Sequence, residues 1–269
     1  MPRFRSLSAF FLAVAPALAT AQDATSDKSV DLAEKLSNPV ADLISVPFQY
    51  NWNDGYGPNG DGQQSYINIQ PVIPFSIGPN WNVISRTILP LVDQDGVLPG
   101  EDSQRGFGNT IQSFFFSPKE PTAGGLIWGV GPVFQLPTAT DDLGPNQWGA
   151  GVTGVVLKQS HGWTYGALAN HIWSLNNNDE YGDQSATFVQ PLLSYTTPKA
   201  TSFTINSEST YNWETEEWSV PINLMVAQMI KLGKQPAQIQ AGARYWVDSP
   251  DGGPDGWGFR LVFTLLFPK

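Results

Sequence analysis

From Trp257 to Phe267 the chain reads WGFRLVFTLLF, and every second residue of that run is apolar. Trp257, Phe259, Leu261, Phe263, Leu265 and Phe267 share one register, while Gly258, Arg260, Val262, Thr264 and Leu266 share the other. A strand sends alternate side chains to opposite faces. This segment therefore has one wholly apolar face and one face that carries a charge. A soluble sandwich would turn the apolar face to its core. A membrane barrel would turn it outward to lipid and keep the arginine in the lumen.

The start of the chain bears on that choice. Arg3 and Arg5 precede an apolar run from Ala9 to Leu18, followed by Ala19-Thr20-Ala21. A basic region, a short apolar stretch and an A-x-A site describe a secretory signal peptide over residues 1–21. The apolar stretch is too short to span a bilayer. There is no cysteine, so the exported chain has no disulfides. Charged residues make up only 14% of the chain, against about 25% in ordinary globular domains. Such a deficit suits an exterior that faces something other than water. The net charge of −10 argues against nucleic acid as a partner.

Residues 22–43 form an N-terminal segment, expected to be periplasmic. Within it DKSVDLAEKLSNPVADL allows a short helix with Leu32 and Leu36 on one face and Pro39 stopping it. It reads equally as a docking helix or partial plug, or as a leader to the first strand. From Ile44 onward the sequence alternates strand-like segments with turn residues, and residues 44–269 divide into twelve such segments. An even number of strands, each long enough to cross a bilayer obliquely, points to a transmembrane antiparallel up-and-down β-barrel.

The connections separate by charge. One alternate set is short and holds Lys119, Lys158, Lys199, Lys231 and Lys234; the other set is mostly longer and holds seventeen of the 24 acids. A sandwich has no reason to sort them this way, whereas a barrel with short periplasmic turns and long external loops does. Pro71, Pro74, Pro132, Pro191 and Pro221 lie inside strand segments. A closed barrel has no free edge for them, so bulges or strand ends beyond the hydrocarbon are expected.

The stretches NPVADLISVPFQYNW, INIQPVIPFSI, WNVISRTILPL, WGVGPVFQLPTATDD, LKQSHGWTYGALANHIWS and GARYW resemble a family of bacterial outer-membrane transporters. That family is related to the barrels of the MetA phenol-degradation pathway, and its members are often given a neuromedin-U-like name. The resemblance runs from Asn38 to Lys269. It implies a barrel in the outer membrane of a Gram-negative bacterium and passage of small solutes, aromatic ones among them. It supplies no functional residues. The ending LLFPK departs from the usual outer-membrane pattern, in which an aromatic residue comes last.

Three constellations carry candidate chemistry. His171 and Ser174 lie near a strand end, as in outer-membrane lipid hydrolases, but a spacing of three puts them on opposite faces of a regular strand. The acidic loops offer oxygen ligands for hard cations, yet none matches a full calcium loop. They are expected to meet lipopolysaccharide, and no cofactor or resident metal is expected. The lumen register holds Arg86, Glu208, Arg244 and Arg260 among Asn and Gln. The hairpin around Gly252 places Arg244 and Arg260 directly opposite each other, as a pair to grip a passing anion or as an ionic brace. The expected function is a passive channel for small solutes, with aromatic or anionic ones as the candidates. The alternatives are a lipid-modifying hydrolase and a structural or adhesive barrel without transport.

Overall fold

A computed structural model describes residues 26–97, 103–140, 143–176 and 182–268. The expected signal peptide lies outside them. A helix, α1 (Ser26–Leu36), precedes twelve strands. These are β1 (Ile44–Tyr56), β2 in two pieces (Gly62–Ile69 and Val72–Ser76), β3 (Trp81–Asp95) and β4 in two pieces (Gln104–Phe107 and Thr110–Pro118). Next come β5 (Leu126–Leu136), β6 (Gly149–Ser160), β7 (Trp163–Ser174) and β8 (Ser185–Thr196). The last four are β9 in two pieces (Thr201–Ser207 and Ser209–Asn212), β10 (Glu217–Leu232), β11 (Gln235–Asp248) and β12 (Gly256–Phe267). Each strand pairs antiparallel with its neighbours in sequence. The ring closes where β1 meets β12, from Ile44 opposite Phe267 to Trp52 opposite Phe259. Closure removes every sheet edge.

The barrel is inside out relative to a soluble protein. Leu261, Val152, Phe203, Leu224 and Ile239 are exposed, whereas Asn51, Asn223, Thr153, Gln135 and Arg260 are buried. In β12 the residues Gly258, Arg260, Val262, Thr264 and Leu266 are all buried, and Trp257, Phe259, Leu261 and Phe267 are exposed. The apolar face is therefore the outside, as a transmembrane barrel requires. Rings pair around both ends of that surface. Trp81 with Trp128 and Trp163 with Tyr195 mark the lysine-bearing end, and Tyr245 with Trp257 and Tyr211 with Trp218 mark the acidic end.

Short turns join strands at the lysine-bearing end. His161 and Gly162 both take positive φ, 51° and 81°, between Ser160 and its partner Trp163. Two left-handed residues make the hairpin turn whose twist matches that of the strands.

The in-strand prolines are absorbed by interruptions of the ladder. Pro71 falls in the gap between the two pieces of β2. Pro74 lies beyond the first residue of β1, where β3 is the ladder partner of β2. At Pro132 the β4–β5 ladder skips from Ser113–Val133 to Phe116–Val130. At Pro221 the β10–β11 register shifts by a bulge. Pro191 lies in a break of the β8–β9 ladder between Val189–Ser209 and Leu192–Asn206. Proline donates no backbone hydrogen bond, so the two pieces of β9 separate where Pro191 and Pro221 flank it on either side.

The N-terminal segment folds into the lysine-bearing mouth. Its helix lies against β8 and β9, and the Gln159 side chain donates to the Glu34 carbonyl at 2.8 Å. Asn38-Pro39 ends the helix. Val40 then enters an apolar cluster with Ile84, Phe115, Val155, Leu157 and Leu168 on the inner wall. Ala33 and Leu43 pack with Ala200, Met229 and Leu266. A side chain at Gly129 would put its Cβ 3.1 Å from Val40 Cγ1, so the bare backbone there makes room for the segment. Of the two readings the sequence left open, the structure takes the partial plug.

Candidate functional site

Above the plug the lumen holds a cavity of about 340 Å³. Its floor is residues 35–39 with Ala41 and Leu43. Its walls carry Gln49, Tyr66, Asn68, Gln70, Gln190, Asn206, Gln238 and Gln240, together with Ile88, Phe188, Leu192 and Val262. Arg86, Glu208 and Arg260 also line it. All four charged residues expected in the lumen thus face inward, but they do different things.

Glu208 stands at the centre of an ionic cluster, where β9 is interrupted. Arg260 donates to both of its carboxylate oxygens, NH1 to Oε1 at 2.8 Å and NH2 to Oε2 at 2.6 Å. Arg244 NH2 also donates to Oε2, at 2.8 Å. The remaining donors are engaged too. Arg260 Nε donates to Asn51 at 2.7 Å. Arg244 Nε donates to Asn223 at 2.8 Å, and its NH1 to the Tyr66 hydroxyl at 2.9 Å. Asn223 in turn donates to Asn206 at 2.8 Å. Arg244 and Arg260 are 1% and 2% exposed. Buried guanidinium groups persist only when paired and hydrogen-bonded, and these are.

Two expectations about this pair need correction. The arginines are not directly opposite: Arg244 pairs with Gly258, and Arg260 with Gly242. The β11–β12 ladder runs without a shift from Ala237–Leu265 to Trp246–Gly256. The hairpin is therefore centred on Asp251 rather than Gly252, and the arginines are diagonal neighbours. The offset is useful. Gly258 is beside Arg244 in the ladder, and Arg244 reaches across β12 and β1 to Tyr66 on β2. The second correction concerns the grip on an anion. Glu208 already fills the space between the two guanidinium groups, and Arg244 does not line the cavity. Both guanidinium groups are held by the protein's own carboxylate.

Arg86 stands apart from that ionic cluster. Its NH2 donates to the Gln70 side chain at 3.2 Å, and no carboxylate lies within salt-bridge distance among the described residues. The cavity wall thus sets Arg86 and Arg260 against the single acid Glu208, and Arg244 adds its charge from behind. Sequence reasoning missed Tyr66, Asn51 and Asn53 as partners of the cluster. Their signal was available, because Tyr66 shares the register of Asn68 and Gln70, and Asn51 and Asn53 alternate with Tyr50 and Trp52.

His171 is not near Ser174's hydroxyl but faces outward, between β6 and β8. Its Nδ1 is 2.7 Å from the Thr187 hydroxyl, and its Nε2 is 3.4 Å from the Ser185 hydroxyl. Trp213 Nε1 donates to the same Thr187 oxygen at 2.8 Å, and the Trp173 ring lies 4.0 Å away, centroid to centroid. This is an outward-facing aromatic belt with a histidine in it. Among the described residues no cluster of His, Asp and Glu is arranged to hold a metal ion.

The family model described as "Putative MetA-pathway of phenol degradation" matches residues 53–249. The chain belongs to that family. No curated protein matches the sequence. Among solved structures, the fold is similar to the COG4313 outer membrane channel from Pseudomonas putida F1, with a TM-score of 0.64 at 15% identity, over 84% of this chain and 96% of that one. A weaker likeness joins it to outer membrane phospholipase A from Escherichia coli, with a TM-score of 0.48 at 10% identity, over 84% and 96% of the two chains. The first likeness establishes an outer-membrane β-barrel fold for this family member; the second is too distant to support anything about activity.

Proposed function

We propose that this barrel is a passive outer-membrane channel for small solutes. The carrying observation is the polar, charged cavity kept open inside a closed barrel whose outer face is apolar. A purely structural barrel of this size would be expected to fill its interior with side chains. Family membership and the likeness to the Pseudomonas putida channel support the same reading. In this reading the chain is exported by a signal peptide cleaved after residue 21, residues 22–43 close the periplasmic mouth, and the acidic loops meet lipopolysaccharide through shared divalent cations. Conductance of the refolded protein in planar bilayers, followed by swelling of solute-loaded liposomes, tests it. A barrel that folds yet passes neither ions nor small solutes would sink it.

A hydrolase has one observation in its favour, the outward-facing pair of His171 and Ser185. The arrangement serves it poorly. The serine–histidine distance is 3.4 Å, and the group behind the imidazole is a threonine hydroxyl that brings no charge to stabilise an imidazolium. Phospholipid hydrolysis by the refolded protein that Ser185→Ala abolishes would reverse the order of the two readings.

A further inference from the structure

We infer that the lumen cavity binds small organic carboxylates with an apolar body, and that Arg86 is the group that takes the carboxylate. This names the solute class of the channel proposed above and rests on that reading for its physiological sense.

The inference begins with the donors. Arg260 commits all three of its nitrogens to Glu208 and Asn51. Arg244 commits all three of its own to Glu208, Asn223 and Tyr66. Among the described residues Arg86 makes one hydrogen bond, to the neutral Gln70, although a guanidinium carries five N–H donors. Its ladder neighbours are Val72 on β2 and Ser113 on β4, neither of them an acid. The carboxylate of Glu208 lines the same cavity, but three hydrogen bonds from Arg244 and Arg260 already fall on its two oxygens. Lys35, at the cavity floor, is paired with Asp31 at 2.8 Å. Arg86 is therefore the lining cation whose charge is least answered by the protein.

The wall around it selects the kind of anion. Ile88 follows Arg86 on the same face of β3, and Phe188, Leu192 and Val262 line the same cavity. Phe188 itself packs against the apolar cluster that Val40 joins. A compact inorganic anion would use the charge and waste the wall. A neutral alcohol would use the wall and leave the guanidinium unanswered. A carboxylate on an apolar ring or short chain meets both, and the planar guanidinium can receive it through two parallel hydrogen bonds.

The test uses radiolabelled benzoate and benzyl alcohol in equilibrium dialysis against the refolded full-length barrel in detergent. Benzoate should bind wild-type protein more tightly than benzyl alcohol does. Arg86→Gln should weaken benzoate by about tenfold or more, the size expected for one lost charge-assisted contact, and leave benzyl alcohol unchanged. Arg86→Lys should fall between. Equal binding of the two probes by wild type overturns the inference without any variant. So does an Arg86→Gln barrel that is folded, by its heat-modifiable gel mobility, and binds benzoate as wild type does. Bilayer currents keep the two readings separate. Benzoate binding through Arg86 in a barrel that does not conduct removes the channel and leaves the site. Conduction with benzoate binding indifferent to Arg86 removes the site and leaves the channel.

Discussion

Glu208 holds two arginines that come from different strands, and neither could stay buried without it. Removing one partner of a buried ionic cluster leaves an uncompensated charge, which costs about 3–5 kcal/mol. Glu208→Gln should therefore lower stability by about that much in urea unfolding from lipid or detergent, and unfolding unchanged within error would show that the cluster is no brace. The folded fraction should conduct with a stronger preference for anions, because the one acid of the cavity wall is gone. The inward direction of Glu208, Arg244 and Arg260 was legible from alternation alone, since a period of two assigns faces without knowing the partner strand. Their mutual contacts were not. Which residues meet depends on ladder register, and register here depends on where the last hairpin closes: its ladder runs regularly to Trp246–Gly256 and so centres on Asp251. A one-residue shift of a hairpin's centre turns an opposite pair into a diagonal one, and no pattern in DSPDGGPDG announces it.

Strand positions were readable because turn residues and alternation repeat around the whole chain; the prolines were not, because their accommodation needs two neighbours at once. Pro191 and Pro221 come from β8 and β10, and only the closed sheet brings them to either side of β9. The outward register of β12 makes a direct prediction. Leu261 is 49% exposed on the lipid side, so arginine there should cost about 2–4 kcal/mol if it sits near the bilayer midplane. Arginine at Gln240, which lines the lumen cavity, should cost much less. Equal penalties in the two variants' unfolding would deny the assignment of faces. The N-terminal segment was harder to place, since an amphipathic helix of 11 residues does not say which surface it packs on, and what holds it is the matching hollow. Gly129 is that hollow, with Val40 Cγ1 at 3.1 Å from where a Cβ would stand. Gly129→Val should push Val40 off the wall and raise single-channel conductance. An unchanged conductance in a folded Gly129→Val barrel would mean that the segment does not restrict the path.

Across the whole molecule, charge is distributed in three tiers. The chain carries a net charge of −10, yet the middle of its lumen has an excess of arginine, and its two mouths differ, one with short lysine-bearing turns and one with acidic loops. The acidic mouth would repel an anion that the arginines attract, unless divalent cations neutralise it. Under the proposed function, where lipopolysaccharide gathers such cations at the outer surface, the acidic loops are expected there and the lysine-bearing turns with the plug on the periplasmic side. Absence of cysteine makes this directly measurable, because single replacements report without background. Asp251→Cys, in the loop between β11 and β12, should react with an impermeant thiol reagent added to intact cells. Lys199→Cys, in the turn between β8 and β9, should react only after the outer membrane is opened. The reverse pattern would turn the barrel over, put the plug at the cell surface, and require solutes to enter past Val40 before they meet Arg86.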